Sequence, residues 1–222
     1  MNVLITGASR GIGLQLTRQA LEKGSMVYAV ARAPLESPPL QTLKKQYDTK
    51  LVLITADLFS ASAVEKISQN LGDNPLDIMI NNAGIFREDK TFQDFMDTFQ
   101  INSVIPFFLA KTLLPKLKLS KDPKVAQITS RMGSIQDNSS GGHYSYRASK
   151  AALNMINKSF SLDHSWLTTL VIHPGWVQTD MGGSNAPVSP EDSATGIWKV
   201  ILQSNKDQSG SFLDYQGHRI PW

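Results

Sequence analysis

The chain has 222 residues, 41% of them hydrophobic and 18% charged, an ordinary balance for a soluble globular protein able to bury one large core. A net charge of +3 with no dense Lys/Arg run argues against a nucleic-acid stripe, and the cluster from Lys111 to Lys124 reads as solvated surface. Cysteine is absent, so disulfides and thiolate metal sites are excluded and a reducing, cytoplasmic setting is expected. No apolar stretch reaches the ~20 residues of a membrane span, and Val3-Leu4-Ile5 is too short for a signal-peptide core.

In chain order, Val3 to Ile5, Met26 to Val30, Leu51 to Ile54, Ile78 to Ile80, Val125 to Ile128 and Leu170 to Ile172 read as buried strands. Their continuous apolar character is that of a parallel sheet covered on both faces. Between them, Ile12 to Glu22 and Ala61 to Leu71 have helical periodicity, the second with Ser60 as its N-cap. The prolines at 34, 38 and 39 read as a loop before a helix. Thr91 to Leu119 reads as two consecutive helices, broken or kinked near Asn102 to Pro106. Ser145 to Leu162 is a further helix. Ser189-Pro190-Glu191-Asp192 opens another, with Ile197, Trp198, Ile201 and Leu202 on its inner face. Strand–helix alternation of this kind predicts a single-domain α/β fold spanning 1–222, a doubly wound Rossmann parallel sheet with helices on both faces.

Two segments carry chemistry. Thr6-Gly7-Ala8-Ser9-Arg10-Gly11-Ile12-Gly13 follows the first strand and opens the first helix. Glycines there allow a tight turn and close backbone approach to a pyrophosphate at the positive helix end. The same glycines also suit a plain turn. The second segment is Tyr146-Arg147-Ala148-Ser149-Lys150, where a phenol and an amine four residues apart share a helix face. Lowering a phenol's pKa by about three units needs about 4 kcal/mol, roughly what one ammonium about 4 Å away supplies at an effective dielectric near 20. Tyr144 has Ala148 at that spacing, so Tyr146 is the candidate. Taken alone, the pair equally fits a solvated helix surface.

The Thr-Gly-x-x-x-Gly-x-Gly loop, Asn81-Asn82-Ala83-Gly84, Asn102, Ser130, the Tyr146/Lys150 pair and Pro174-Gly175 together resemble the short-chain dehydrogenase/reductase family. The closing Phe212 to Gly217 and Ile220-Pro221-Trp222 are similar to its compact C-factor-like and sniffer-like carbonyl reductase branch. The resemblance implies a catalytic set of Asn102, Ser130, Tyr146 and Lys150. Tyr146 would be the general acid in reduction and the base in oxidation, and Lys150 would hold down its pKa and bond the nicotinamide ribose. Ser130 would place the carbonyl oxygen, with Ser134 as its rival. Asn102 would hold a water linking Lys150 to solvent, or cap the broken helix. The implied cofactor residues are Gly7, Ser9, Arg10, Gly11, Ile12, Gly13, Arg32, Asp57, Leu58, Asn82, Ala83, Gly84, Tyr146, Lys150, Pro174, Gly175, Val177 and Thr179.

The second strand ends in Val30-Ala31-Arg32 rather than in an acid, and Arg10 stands in the glycine loop. Two guanidiniums near the adenosine ribose favour NADP(H), with NAD(H) the alternative. The short segment from Asp180 to Pro190 predicts an open site, walled by Trp176, Met181 and His143, for a small carbonyl or alcohol substrate. No metal, nucleic acid or membrane partner is expected. Helices 91–119 and 145–162 would serve pairing into a homodimer or homotetramer, or plain core packing. The rival function is a cofactor-binding regulatory or signalling protein of the C-factor type whose catalysis is dispensable. A nucleotide-sugar epimerase is disfavoured by the short chain after the Tyr/Lys helix.

Overall fold

Strand residues alternate sides, and here both sides are apolar. In β1 (Asn2–Thr6), Val3 and Ile5 enter one core cluster while Leu4 enters the other. Such strands are stable only inside a sheet covered twice. The computed structural model describes residues 1–222 and shows that sheet. It adds β2 (Met26–Ala31), β3 (Leu51–Thr55), β4 (Ile78–Asn81), β5 (Lys124–Ile128), β6 (Thr168–His173) and β7 (Ser211–Asp214) in the order β3-β2-β1-β4-β5-β6-β7. Every pairing is parallel. The order reverses between β1 and β4, so a crevice opens at the carboxyl ends of those two strands.

Seven α-helices cover the faces: α1 (Gly11–Glu22), α2 (Pro38–Tyr47), α3 (Ala63–Asn70), α4 (Phe92–Phe99), α5 (Ile105–Leu117), α6 (Tyr144–Asp163) and α7 (Pro190–Gln203). One cluster joins the sheet to α1, α2 and α7 through Leu16, Leu40, Ile197 and Trp198. The other joins it to α3, α5 and α6 through Ile67, Leu113 and Phe160. Trp198 is buried and its Nε1 donates to the Leu16 carbonyl at 3.1 Å, satisfying the one polar atom of a large apolar anchor.

The doubly wound architecture and all six expected strands are present, and several local expectations are corrected. β7 was not anticipated: Phe212 and Leu213 are its only apolar residues, and pairing with β6 makes it a strand. Pro38 and Pro39 are inside the first turn of α2, where a missing N–H costs nothing, rather than in a loop before it. α3 begins at Ala63 with Ser62 at its N-cap, and Ser60 instead accepts from the Ser62 N–H. Pro115 lies within α5 without ending it. The expected break is a π-helical turn over Gln100–Val104 that keeps the chain helical between α4 and α5. Leu202 is 39% exposed and turns away from the core.

After β7 the chain doubles back along it. The Asp214 N–H donates to the His218 carbonyl and the Ile220 N–H to the Phe212 carbonyl, each at 2.9 Å. Leu213 and Arg219 form an antiparallel bridge, and Ile220 packs on Val171 and Phe212.

Candidate active site

The glycine segment and the Asn81-Asn82-Ala83-Gly84 segment leave β1 and β4 side by side and are fastened together. The Thr6 hydroxyl accepts from the Asn82 and Ala83 N–H groups, both at 3.1 Å. Asn82 Nδ2 in turn donates to the carbonyls of Thr6 (3.0 Å) and Gly7 (3.3 Å). Gly7 and Gly11 have φ of 68° and 54°, a left-handed backbone that glycine adopts without strain. Gly13 is needed for contact: a Cβ there would lie 2.2 Å from the Gly7 carbonyl oxygen and 2.5 Å from Asn82 Nδ2.

Above this joint lies a cleft of about 860 Å³. Of the expected cofactor residues, Gly7, Ser9, Arg10, Gly11, Ile12, Arg32, Asp57, Leu58, Asn82, Ala83, Gly84, Tyr146, Lys150, Pro174 and Thr179 line it. Gly13, Gly175 and Val177 do not. Gly13 packs beneath the loop, Gly175 faces Tyr215 and Val188, and Val177 is buried in a bridge to Val188. Arg10 and Arg32 stand exposed on the rim, while Val30, Ala56 and Leu58 give an apolar stretch below them. Asp57 accepts from the Phe59 N–H at 3.1 Å and so shapes its own turn. Gln15, one helical turn beyond Gly11, has a buried Oε1 with no protein partner. Guanidiniums, glycine N–H groups, an orphan amide oxygen and an apolar slot form a donor set and shape that can hold a dinucleotide.

At the other end α6 carries Tyr146 and Lys150, both buried. Lys150 Nζ donates to the Ile128 carbonyl at 2.8 Å and lies 5.8 Å from the centre of the Tyr146 ring. Burial lowers the Lys150 pKa to about 8. Burial also raises that of Tyr146, against a smaller lowering by the neighbouring Ser130 hydroxyl. Among the protein's own groups the phenol is therefore not acidified, contrary to the sequence-based expectation. The amine spends a hydrogen bond on a carbonyl, and burial disfavours its own charge as well as the phenolate's, so desolvation wins.

Ser130 is the serine beside the phenol, and its hydroxyl also accepts from the Met132 N–H at 3.1 Å. Ser134 is committed elsewhere: it donates to the Trp222 carbonyl (3.2 Å) and accepts from the Asp137 N–H (3.1 Å). Asn102, in the π-helical turn, is fully buried. Its Oδ1 accepts from the Ile85 N–H, and its Nδ2 donates to the Ile85 carbonyl, both at 2.9 Å. It thus anchors the loop after Gly84 rather than capping a broken helix. A Cβ added to Gly84 would lie 3.3 Å from Asn102 Oδ1 and 3.6 Å from Lys150 Nζ, so this glycine keeps the two groups close.

Of the expected substrate wall, Met181 lines the cleft, whereas Trp176 turns away and donates Nε1 to the Gly182 carbonyl at 2.7 Å. His143 does not line the cleft: its ring packs at a tilt against Phe86 with centres 5.0 Å apart, and Phe86 packs against Tyr146 at the same distance and tilt. Phe86, Gln15 and Asp180 are the notable lining residues that sequence reading missed. The four-residue step from Gly11 along α1 offered a signal for Gln15; no local pattern marked Phe86 or Asp180.

A parallel sheet with a glycine joint at its switch point and a buried Tyr/Lys pair beside it defines the class, and sequence comparison gives the family. The family model described as short chain dehydrogenase matches residues 1–188. The chain belongs to the short-chain dehydrogenase family. It is 44% identical over 160 residues to C-signal of Myxococcus xanthus, spanning 69% of this chain and 96% of that protein. Among solved structures, the carbonyl reductase Sniffer of D. melanogaster superposes with a TM-score of 0.92 at 33% identity, covering 100% of this chain and 99% of that one. The NADPH-bound carbonyl reductase from chicken fatty liver gives 0.91 at 31% identity, covering 100% and 98%. No helix of the chain is long and apolar enough to cross a membrane.

Proposed function

We propose that this oxidoreductase prefers NADP(H) and transfers hydride between its nicotinamide and a small carbonyl or alcohol substrate, with Tyr146 as general acid/base. The observation that carries this reading is the buried Ser130–Tyr146–Lys150 cluster at one end of a cleft whose other rim bears Arg10 and Arg32. The carbonyl reductases that share the fold, one of them NADPH-bound, support it. A bound nicotinamide cofactor would supply the hydride. Arg10 and Arg32 would offer forked donors to its ribose phosphate, Asp57 and Leu58 would hold the adenine, and the glycine-loop N–H groups would take the pyrophosphate. Pro174, Val177 and Thr179 would hold the nicotinamide.

Burial keeps the Tyr146 phenol protonated at neutral pH, the form a proton donor to a reduced carbonyl needs. As that proton leaves, the Lys150 ammonium, 5.8 Å from the ring centre, is the cation beside the forming phenolate. Ser130 holds the carbonyl oxygen in line with the phenol. Asn102 positions the Ile85 loop and stands close to Lys150 across Gly84.

Tyr146→Phe tests the assignment. Reduction of small aldehydes and diketones should fall about 10²- to 10⁴-fold in kcat/KM, with NADPH binding retained. A variant that keeps the parent's turnover would refute the proton-donor role. The similarity to C-signal favours a second reading, in which the dinucleotide fold serves signalling and redox chemistry is dispensable. The same variant separates the two: lost turnover with unchanged cellular phenotype selects the signalling role.

A further inference from the structure

One ion pair spans the cleft. Arg10 Nη1 donates to Asp180 Oδ2 at 2.5 Å, with the two side chains 72% and 75% exposed. Arg10 comes from the loop after β1 and Asp180 from the loop after β6, and both line the cleft. The Asp180 side is stiff. The Gln178 N–H donates to the Val188 carbonyl and Gln178 Nε2 to the Ala186 carbonyl, each at 2.9 Å, and Thr179 Oγ1 accepts from the Gly182 N–H at 3.1 Å. The Arg10 side adjoins the second arginine: Ser37 Oγ donates to the Ser9 carbonyl at 3.2 Å, tying the glycine loop to the segment that follows Arg32.

We infer that Asp180 is a specificity-determining residue that holds the Arg10 guanidinium and so limits how strongly this rim selects a phosphate on the adenosine ribose. The inference rests on the dinucleotide reading proposed above. A guanidinium engaged by a carboxylate must share or release that partner before it can grip a phosphate. The carboxylate's own charge also repels a dianionic group nearby. A ribose that carries two hydroxyls feels neither effect. Because both partners are exposed and screened, the consequence is graded rather than absolute.

The test is equilibrium binding of NADPH and NADH to the intact protein, followed by fluorescence or calorimetry, for the parent, Asp180→Asn and Asp180→Glu. Asp180→Asn should bind NADPH about 3- to 10-fold more tightly, with NADH affinity unchanged, and the gain should shrink at about 0.5 M salt. Asp180→Glu, which restores the charge, should resemble the parent. Unchanged or weaker NADPH binding in Asp180→Asn, or a gain shared equally by NADH, overturns the inference while leaving the cofactor reading intact. A parent protein that binds neither nucleotide removes both.

Discussion

Lys150 and Tyr146 share one buried floor, and burial moves each toward its neutral form: the amine loses its proton more readily and the phenol holds its own more firmly. The amine is the group that titrates first. Its pKa of about 8 means that, in the proton transfer proposed for Tyr146, the charge beside the phenol is present below pH 8 and lost above it. The kcat/KM for carbonyl reduction should therefore be level near pH 7 and decline as pH rises through about 8. Initial rates between pH 6.5 and 9.5 check this, and a flat profile to pH 9.5 would remove Lys150's charge from the mechanism. At this scale the chain was legible where partners are close in sequence. The Tyr/Lys spacing and the glycine loop declare themselves locally. Arg10 and Asp180 lie 170 residues apart, and only folding brings them together. Ser130 could be preferred over Ser134 from its place directly after the fifth strand, but the Trp222 carbonyl that engages Ser134 lies 88 residues away and had no local signal.

At the scale of elements, the Tyr146 end of the cleft is set by how closely a short turn approaches a helix. Ser130 caps a 3₁₀ turn over Arg131–Gly133 that packs on α6. A Cβ on Gly133 would lie 2.8 Å from the Lys150 carbonyl carbon and 2.9 Å from Lys150 Cβ, both inside contact distance. Gly133→Ala should push the turn off α6, costing about 1–3 kcal/mol of stability and moving Ser130 away from the phenol. Urea denaturation and kcat should fall together, whereas a stable variant with the parent's kcat would show that the turn yields without moving Ser130. Strand and helix positions were largely readable because apolar runs of three to five residues and 3.6-residue periodicity are strong signals. Features with no such pattern were not. The π-helical turn looks like a proline break in sequence, and β7 is too short and polar to announce itself.

At the scale of the whole molecule, the sheet has two edges, β3 and β7, and they are finished differently. The returning tail spends its backbone on β7: the carbonyl of His218 accepts from Asp214, and the amide of Ile220 donates to Phe212. These closing residues therefore act as a blocking strand, denying neighbouring molecules a template on which to add. A chain trimmed of residues 218–222 should keep its helical circular-dichroism signal yet scatter light increasingly with concentration, and a trimmed chain that stays as free of aggregates as its parent would contradict this. The same geometry bears on how the protein is handled. A fusion made directly after Trp222 pulls on the segment that shields the last strand and, through the Trp222 carbonyl, on Ser134 in the loop beyond Ser130.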